Sequence, residues 1–279
     1  MNENLRNAVY GAVIGDALGV PYEFKKRGTF TCSGMIGYGT HHQPAGTWSD
    51  DSSMILATCK SLKEKDGKIV IDDIKEKFRQ WYYDGAFTAT GKVFDVGISS
   101  RIAITTGKGQ AGERSNGNGS LMRILPLAFV DCTDEEIRAV SAITHAHWVS
   151  MEACVIYVHL IREGLKVHNE INAKRLGEIV RDLDLAEPFD RLCRIADLDE
   201  SAIKSSGYVV DTLEAAIWCV LTSQTYTECL LKAVNLGDDT DTVACVAGGL
   251  GVCKFAFDEI LDQWINEIKN KDLIQECLF

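Results

Sequence analysis

The sequence predicts an all-α fold. Three observations carry that expectation: apolar residues recur at helical spacing along most of the chain, strand-like alternation is nearly absent, and only four prolines interrupt 279 residues. Proline removes a backbone donor and clashes with the preceding turn, so its scarcity permits many helices. The expectation is about a dozen helices. They should form one compact domain over residues 1–279, because no linker, repeat or low-complexity segment divides the chain.

Each element follows from its pattern. Leu5, Ala8, Val9, Ala12 and Val13 keep the i, i+3, i+4 spacing of a buried helical face. Residues 54–59 continue an apolar face behind an acidic motif, and Ile74, Phe78 and Trp81 form another stripe. Thr133 suits an N-cap with Glu136 at the capping-box position, and that helix is expected to run to His145. Residues 151–165, 213–221, 229–234 and 242–256 read as further helices. Residues 25–49 and 105–120, rich in glycine, read as two long loops. Loops of that length on a compact scaffold often carry function.

Bulk properties narrow the function. With 40 acidic against 29 basic residues the net charge is −11, which repels a polyanion and disfavours general nucleic-acid binding. A small anionic ligand stays compatible if backbone amides and a few cations hold it. The ten cysteines form no CxxC pair and mostly sit in apolar helical stretches, so they read as buried reduced thiols. No leader pattern opens the sequence, and no run of about 18 apolar residues occurs. The expectation is a cytoplasmic protein with no membrane role.

Two acidic motifs, nearly 190 residues apart, suggest halves of one metal site: Gly46-Thr47-Trp48-Ser49-Asp50-Asp51-Ser52 and Gly237-Asp238-Asp239-Thr240-Asp241-Thr242. Carboxylates and hydroxyls are hard oxygen ligands suited to magnesium or manganese, and no His/Cys cluster accompanies them to favour zinc. Ser49 with two acids equally suits a helix N-cap. Capping accounts for one acid of the second motif, not three, and a cation relieves their repulsion most simply. A helix through the whole segment would align Asp238, Asp241 and Thr242, whereas one starting near Asp241 would bring Asp239 and Asp241 together. Spacing leaves both open.

Other segments add candidates. Ser115-Asn116-Gly117-Asn118-Gly119-Ser120-Leu121-Met122-Arg123 reads as a tight turn with exposed amides, followed by a helix from about Ser120 whose N-terminus would face an anion. It is not a Walker motif, since no Gly-Lys-Ser/Thr follows. Thr144-His145-Ala146-His147 lacks a third soft ligand, so His145 reads as a substrate contact or a structural hydrogen bond, well placed at a helix C-terminus. Glu23, just before the first loop, and Asp95, in Phe94-Asp95-Val96-Gly97, are isolated acids. The 25–49 loop, which contains His41 and His42, is expected to form the substrate-facing rim.

In order along the chain, these pieces resemble the ADP-ribosylglycohydrolase family, of the dinitrogenase-reductase-activating glycohydrolase type. The motifs are GDALGVPYE at 15–23, GTWSDDS at 46–52, FDVG at 94–97, GNGSLMR at 117–123, TH at 144–145, SGYVVDTLEAAIWC at 206–219 and GDDTDT at 237–242. The resemblance implies an orthogonal all-α fold with a binuclear magnesium or manganese centre. Its ligands correspond to Ser49, Asp50 and Asp51 from the first motif and Asp239, Asp241 and Thr242 from the last. Asp238 stands where the family usually has glycine. Glu23 corresponds to a mobile acid near the metals and Asp95 to an acid contacting ribose. Asn116, Gly117, Asn118, Gly119, Ser120 and His145 correspond to the hold on diphosphate and the distal ribose or adenosine.

The implied activity is hydrolysis of the bond between ADP-ribose and an acceptor, foremost an arginine side chain on a protein, with Glu23, Asp95, Asp50 and Asp239 as the catalytic group. Such a bond breaks through an oxocarbenium-like state. Its partners would be an ADP-ribosylated protein or a small ADP-ribose conjugate. Serine-linked, polymeric or O-acetyl-ADP-ribose are alternative substrates, and a non-catalytic ADP-ribose-binding protein is an alternative role. An isoprenoid synthase fits less well, because Asp50-Asp51-Ser52-Ser53-Met54 fails the DDxxD pattern.

Overall fold

A computed structural model describes residues 2–166, 172–256 and 259–279. Their chain is helical, with no strand among the described residues and only isolated bridges at Tyr38–Gln43, Gln110–His145 and Gly117–Tyr208. The α-helices are α1 (Glu3–Gly19), α2 (Asp50–Glu64), α3 (Ile71–Asp84), α4 (Ile98–Thr106), α5 (Asp134–Ala142), α6 (Trp148–Leu165), α7 (Asn172–Arg181), α8 (Val209–Thr222), α9 (Tyr226–Asn235), α10 (Thr240–Gly251), α11 (Glu259–Glu267) and α12 (Lys271–Cys277).

The centre is the pair α1 and α10. Both are buried on nearly every side, as expected of helices apolar all round. They touch backbone to backbone. A Cβ added at Gly15 would lie 2.1 Å from the Ala244 carbonyl oxygen, one at Gly19 2.3 Å from Asp241 Cα, and one at Gly248 2.1 Å from the Gly11 oxygen. Only glycine fits a contact that close. Tyr157 Oη donates to the Val246 carbonyl at 2.9 Å, and Thr240 Oγ1 donates to the Gly19 carbonyl at 2.8 Å. The last bond ties the start of α10 to the end of α1.

Most patterned segments fold as their periodicity predicts. Ile74, Phe78 and Trp81 are the buried residues of α3, and Thr133 and Glu136 complete a capping box on α5. The helices α6, α8 and α9 start three or four residues earlier than their apolar stretches, and three larger departures occur. α5 stops at Ala142, and Thr144 and His145 follow in a turn closed by the His145 N–H to Ser141 O bond of 2.9 Å. α10 stops at Gly251 rather than running to residue 256; the chain turns there, and Lys254 Nζ donates to the carbonyls of Val220, Leu221 and Ser223 at the C-terminal end of α8. No α-helix starts at Ser120; a single 3-10 turn, Leu121–Arg123, stands there. It is too short to build a macrodipole.

Residues 25–49 contain no helix but are pinned. Asn235 brackets Cys32 with bonds of 2.8 and 3.0 Å, and the Arg27 guanidinium donates to the carbonyls of Leu236, Glu200 and Ile203. No helix among the described residues is long and apolar enough to cross a membrane.

Gly248→Ala should destabilise the protein by at least about 3 kcal/mol, the upper range for overpacking a rigid core. Gly34→Ala, whose nearest neighbour would be 4.0 Å away, should stay within about 0.5 kcal/mol of the parent. Urea denaturation of the two variants measures the difference.

Candidate functional site

Three chain segments converge at one end of the α1–α10 pair. Asp16 begins the arrangement. It is fully buried in α1, and its carboxylate accepts from the N–H of Ser49 at 2.9 and 3.1 Å, from the N–H of Ser52 at 3.0 Å and from Ser52 Oγ at 2.5 Å. An acid from α1 thus satisfies the free amides at the start of α2. Ser49 is the N-cap of α2, its hydroxyl accepting from the Asp51 N–H at 3.3 Å. Asp50 and Asp51 occupy the first turn.

The second motif resolves the choice that spacing left open. Asp239 is the N-cap of α10, and Asp241 lies in its first turn. A Glu23 carboxylate oxygen lies within 4.8 Å of one from each of them. Thr242 Oγ1 donates to Asp51 Oδ1 at 3.4 Å, so the two motifs touch. Asp238 is exposed and sits in the left-handed region at φ 59°. Its N–H donates to Lys25 O at 2.8 Å and its carbonyl accepts from the Phe24 N–H at 2.7 Å. This backbone clasp holds the Glu23 segment beside Asp239. It also explains why glycine would suit position 238.

Glu23, Asp50, Asp51, Asp95, Asp239 and Thr242 line one cavity of about 240 Å³. Gly117, Asn118, Gly119 and His145 form part of its wall. Ser49, Asp241, Asn116 and Ser120 are not on its lining. The Ser49 hydroxyl caps α2, and Ser120 Oγ accepts from Ser141 Oγ in the interior at 2.9 Å. Asn118 Nδ2 donates to Asp239 Oδ2 at 2.8 Å and to Thr212 Oγ1 at 2.9 Å, so its amide orients a carboxylate. His145 is buried and neutral, since burial and then the Arg123 charge lower its pKa to about 3. It gains nothing as a cation at a helix end, which corrects the electrostatic expectation. His147 caps α6 instead of pairing with it.

Crowding dominates the electrostatics. Burial raises Asp50, Asp51 and Asp241 well above the carboxylate range, and repulsion among neighbouring acids adds to it. Burial likewise raises Asp16 to about 6 and Glu23 to about 7. Asp239 is raised by burial against the Asn118 bond, which lowers it. His41 Nε2 is hydrogen-bonded to Glu23 Oε2 and lies 4.0 Å from Asp95 Oδ2. That bond raises the pKa of His41 above the usual imidazole range.

The donors fit a hard divalent cation. Asp51 Oδ2 and Asp239 Oδ1 are buried without a hydrogen bond, a costly state for a carboxylate oxygen unless a cation serves it. Glu23, Asp239 and Asp241 form one group able to hold a metal, and Glu23, His41 and Asp95 another.

The sequence profile described as ADP-ribosylglycohydrolase matches residues 1–278. The chain belongs to the ADP-ribosylglycohydrolase family. It is 27% identical over 284 residues to an ADP-ribosylarginine hydrolase of Serratia proteamaculans, covering 98% of this chain and 77% of that one. It is 29% identical to the ADP-ribosyl-dinitrogen-reductase glycohydrolase of Rhodospirillum rubrum, covering 97% and 92%. A solved structure described as an ADP-ribosylglycohydrolase-related protein complex superposes with a TM-score of 0.81 at 27% identity, covering 99% of this chain and 95% of that one.

For this family member, sequence reasoning missed two residues. His41 was placed on a rim, not against Glu23, and nothing in its loop signals that pairing. Asp16 had a signal, as an acid within an apolar helical stretch.

Two outcomes follow. Asp238→Gly should leave cation binding unchanged and stabilise the fold by up to about 1 kcal/mol, as relief of a left-handed non-glycine residue; calorimetric cation titration and denaturation check both. Raised carboxylate pKa values mean that the metal-free folded chain binds more protons than the unfolded chain, so stability falls as pH rises through about 6 to 7. Melting scans in EDTA should show that fall, and scans with magnesium or manganese should largely remove it.

Proposed function

We propose that this chain is a metal-dependent hydrolase of the bond between ADP-ribose and an acceptor, foremost ADP-ribosyl-arginine on a protein. One observation carries the reading: Glu23 and carboxylates from the starts of α2 and α10 share the lining of one cavity with the Gly117-Asn118-Gly119 turn and His145. An acidic floor suits cations, and a turn of small residues suits a close-lying diphosphate. The identity to a relative named for ADP-ribosylarginine supports the arginine acceptor, and that to one named for dinitrogen reductase supports a protein substrate.

Asp50, Asp51, Asp239 and Asp241, with Ser49 and Thr242, would hold two magnesium or manganese ions. Bound, these supply Lewis acidity toward the ribose hydroxyls and toward water. The chain's own residues do the remaining tasks. Glu23, hydrogen-bonded to His41, would pass a proton between water and the leaving group at C1″. Asp95, 4.0 Å from His41, can orient the ribose or take over that proton. Asn118 fixes Asp239, so the floor keeps its shape while the sugar distorts toward the oxocarbenium-like state.

Free ADP-ribose released from mono-ADP-ribosylated arginine protein, with magnesium, with manganese and with EDTA, tests the reading. Release should require the cation. Asp50→Ala and Asp239→Ala should each lower kcat by at least about 10³-fold, and Glu23→Gln by at least about 10²-fold. Wild-type rates in either Asp variant would overturn the metal mechanism. No release while ADP-ribose still binds would move the acceptor to serine-linked, polymeric or O-acetyl conjugates.

A further inference from the structure

We propose that Arg123 is a positioning residue: through Thr144 it fixes His145 as a neutral imidazole with its proton on Nε2, a donor to an anionic ligand oxygen in the cavity. The inference rests on the reading of the cavity as an ADP-ribose site.

Arg123 closes the Leu121–Arg123 turn and is 0% exposed. Every acceptor of its guanidinium is neutral: Nη2 donates to the Val140 carbonyl at 3.1 Å, the Ser141 carbonyl at 3.4 Å and Thr144 Oγ1 at 2.8 Å. Nε and Nη1 have no hydrogen bond, and the group lies 4.7 Å over the Phe78 ring. Burying a cation with no carboxylate beside it is costly. Capping two carbonyls at the end of α5 does not require a charge.

The chain of bonds supplies a reason. The Thr144 hydroxyl has one hydrogen. Its oxygen accepts from Arg123, and His145 Nδ1 lies 2.9 Å away. If Thr144 donates to Nδ1, each group in the chain is used once: guanidinium to hydroxyl, hydroxyl to Nδ1. If instead Nδ1 carried the proton, two donors would converge on one oxygen and the hydroxyl hydrogen would lose this acceptor. Nδ1 therefore accepts, and the single proton of the neutral ring sits on Nε2. The adjacent cation also opposes a second proton.

Nε2 faces the cavity wall. A Cβ at Gly119 would lie 3.2 Å from it and one at Gly117 3.7 Å, and both glycines line the cavity. An N–H at that point matches an acceptor-only oxygen such as that of a diphosphate. It also leaves His145 with no role as proton carrier, which confines proton transfer to the Glu23 side.

Nitrogen-15 NMR of the imidazole rings in the whole chain tests the assignment, with His145 identified by its loss in His145→Gln. The result expected is an acceptor-type Nδ1 and a protonated Nε2, unchanged from about pH 5 to about pH 8. Thr144→Val should mix the two tautomers and weaken ADP-ribose binding about 10-fold by calorimetry, the loss of roughly one hydrogen bond. Thr144→Ser should restore both. Arg123→Met, if it folds, should mix the two tautomers as Thr144→Val does, because the freed Thr144 oxygen can then accept from Nδ1; the Thr144 pair decides the matter if it does not fold. A proton on Nδ1 or an imidazolium in the parent protein overturns the proposal, as does unchanged tautomer and affinity in Thr144→Val. If the parent shows the expected tautomer but binds no ADP-ribose, the functional reading fails and the positioning role stands.

Discussion

Helices α1 and α10 meet with no side chain between their backbones, and the site exists because they do. Gly11, Gly15 and Gly19 recur every four residues on α1, so one face of its second half is bare. Against it lie Asp241, Ala244 and Gly248 of α10, again four or three residues apart. Contact at that range fixes the two helices in register, because sliding either by one residue would drive Cβ atoms into carbonyls. Register is what places Asp16 beneath the start of α2 and Glu23 beside Asp239 and Asp241. The acidic residues thus depend for their placement on an uncharged glycine contact.

That rigidity has an electrostatic consequence. Carboxylates on flexible loops separate when they repel; here the helix starts hold them. Asp50 and Asp51 are anchored through the Asp16 bonds to Ser49 and Ser52, and Asp239 through Asn118. Placement in the first turn of a helix favours each acid through the backbone dipole. It does not remove repulsion among neighbours. The remaining relief is a proton or a cation, and the two compete for the same oxygens. The buried, unbonded oxygens of Asp51 and Asp239 favour the cation.

Much of this was legible in the sequence, and what was not has physical causes. Periodicity located the helices because burial of one face is a local property; the stripe Ile74, Phe78 and Trp81 needs no knowledge of its partner. The two acidic motifs were legible as a pair because three acids in four residues exceed what capping requires. Boundaries were less legible: the end of α10 depends on Lys254 reaching α8, a long-range contact. The turn after Ser120 looked like an anion-binding helix start because its residue types are the same as those of a real one. His41 was illegible as a partner of Glu23, since their pairing is set by the path of a 30-residue loop between Gly19 and Asp50. The place of Asp238 became clear only from its backbone angle.

The central claim is that the starts of α2 and α10 together form a cation site. Anomalous diffraction from crystals soaked in manganese measures it directly. The account predicts manganese peaks among the carboxylates of Asp50, Asp51, Asp239 and Asp241, within coordination distance of about 2.2 Å and next to Asp51 Oδ2 and Asp239 Oδ1. Fully occupied manganese elsewhere, with these carboxylates still bonded only to the protein, would contradict it.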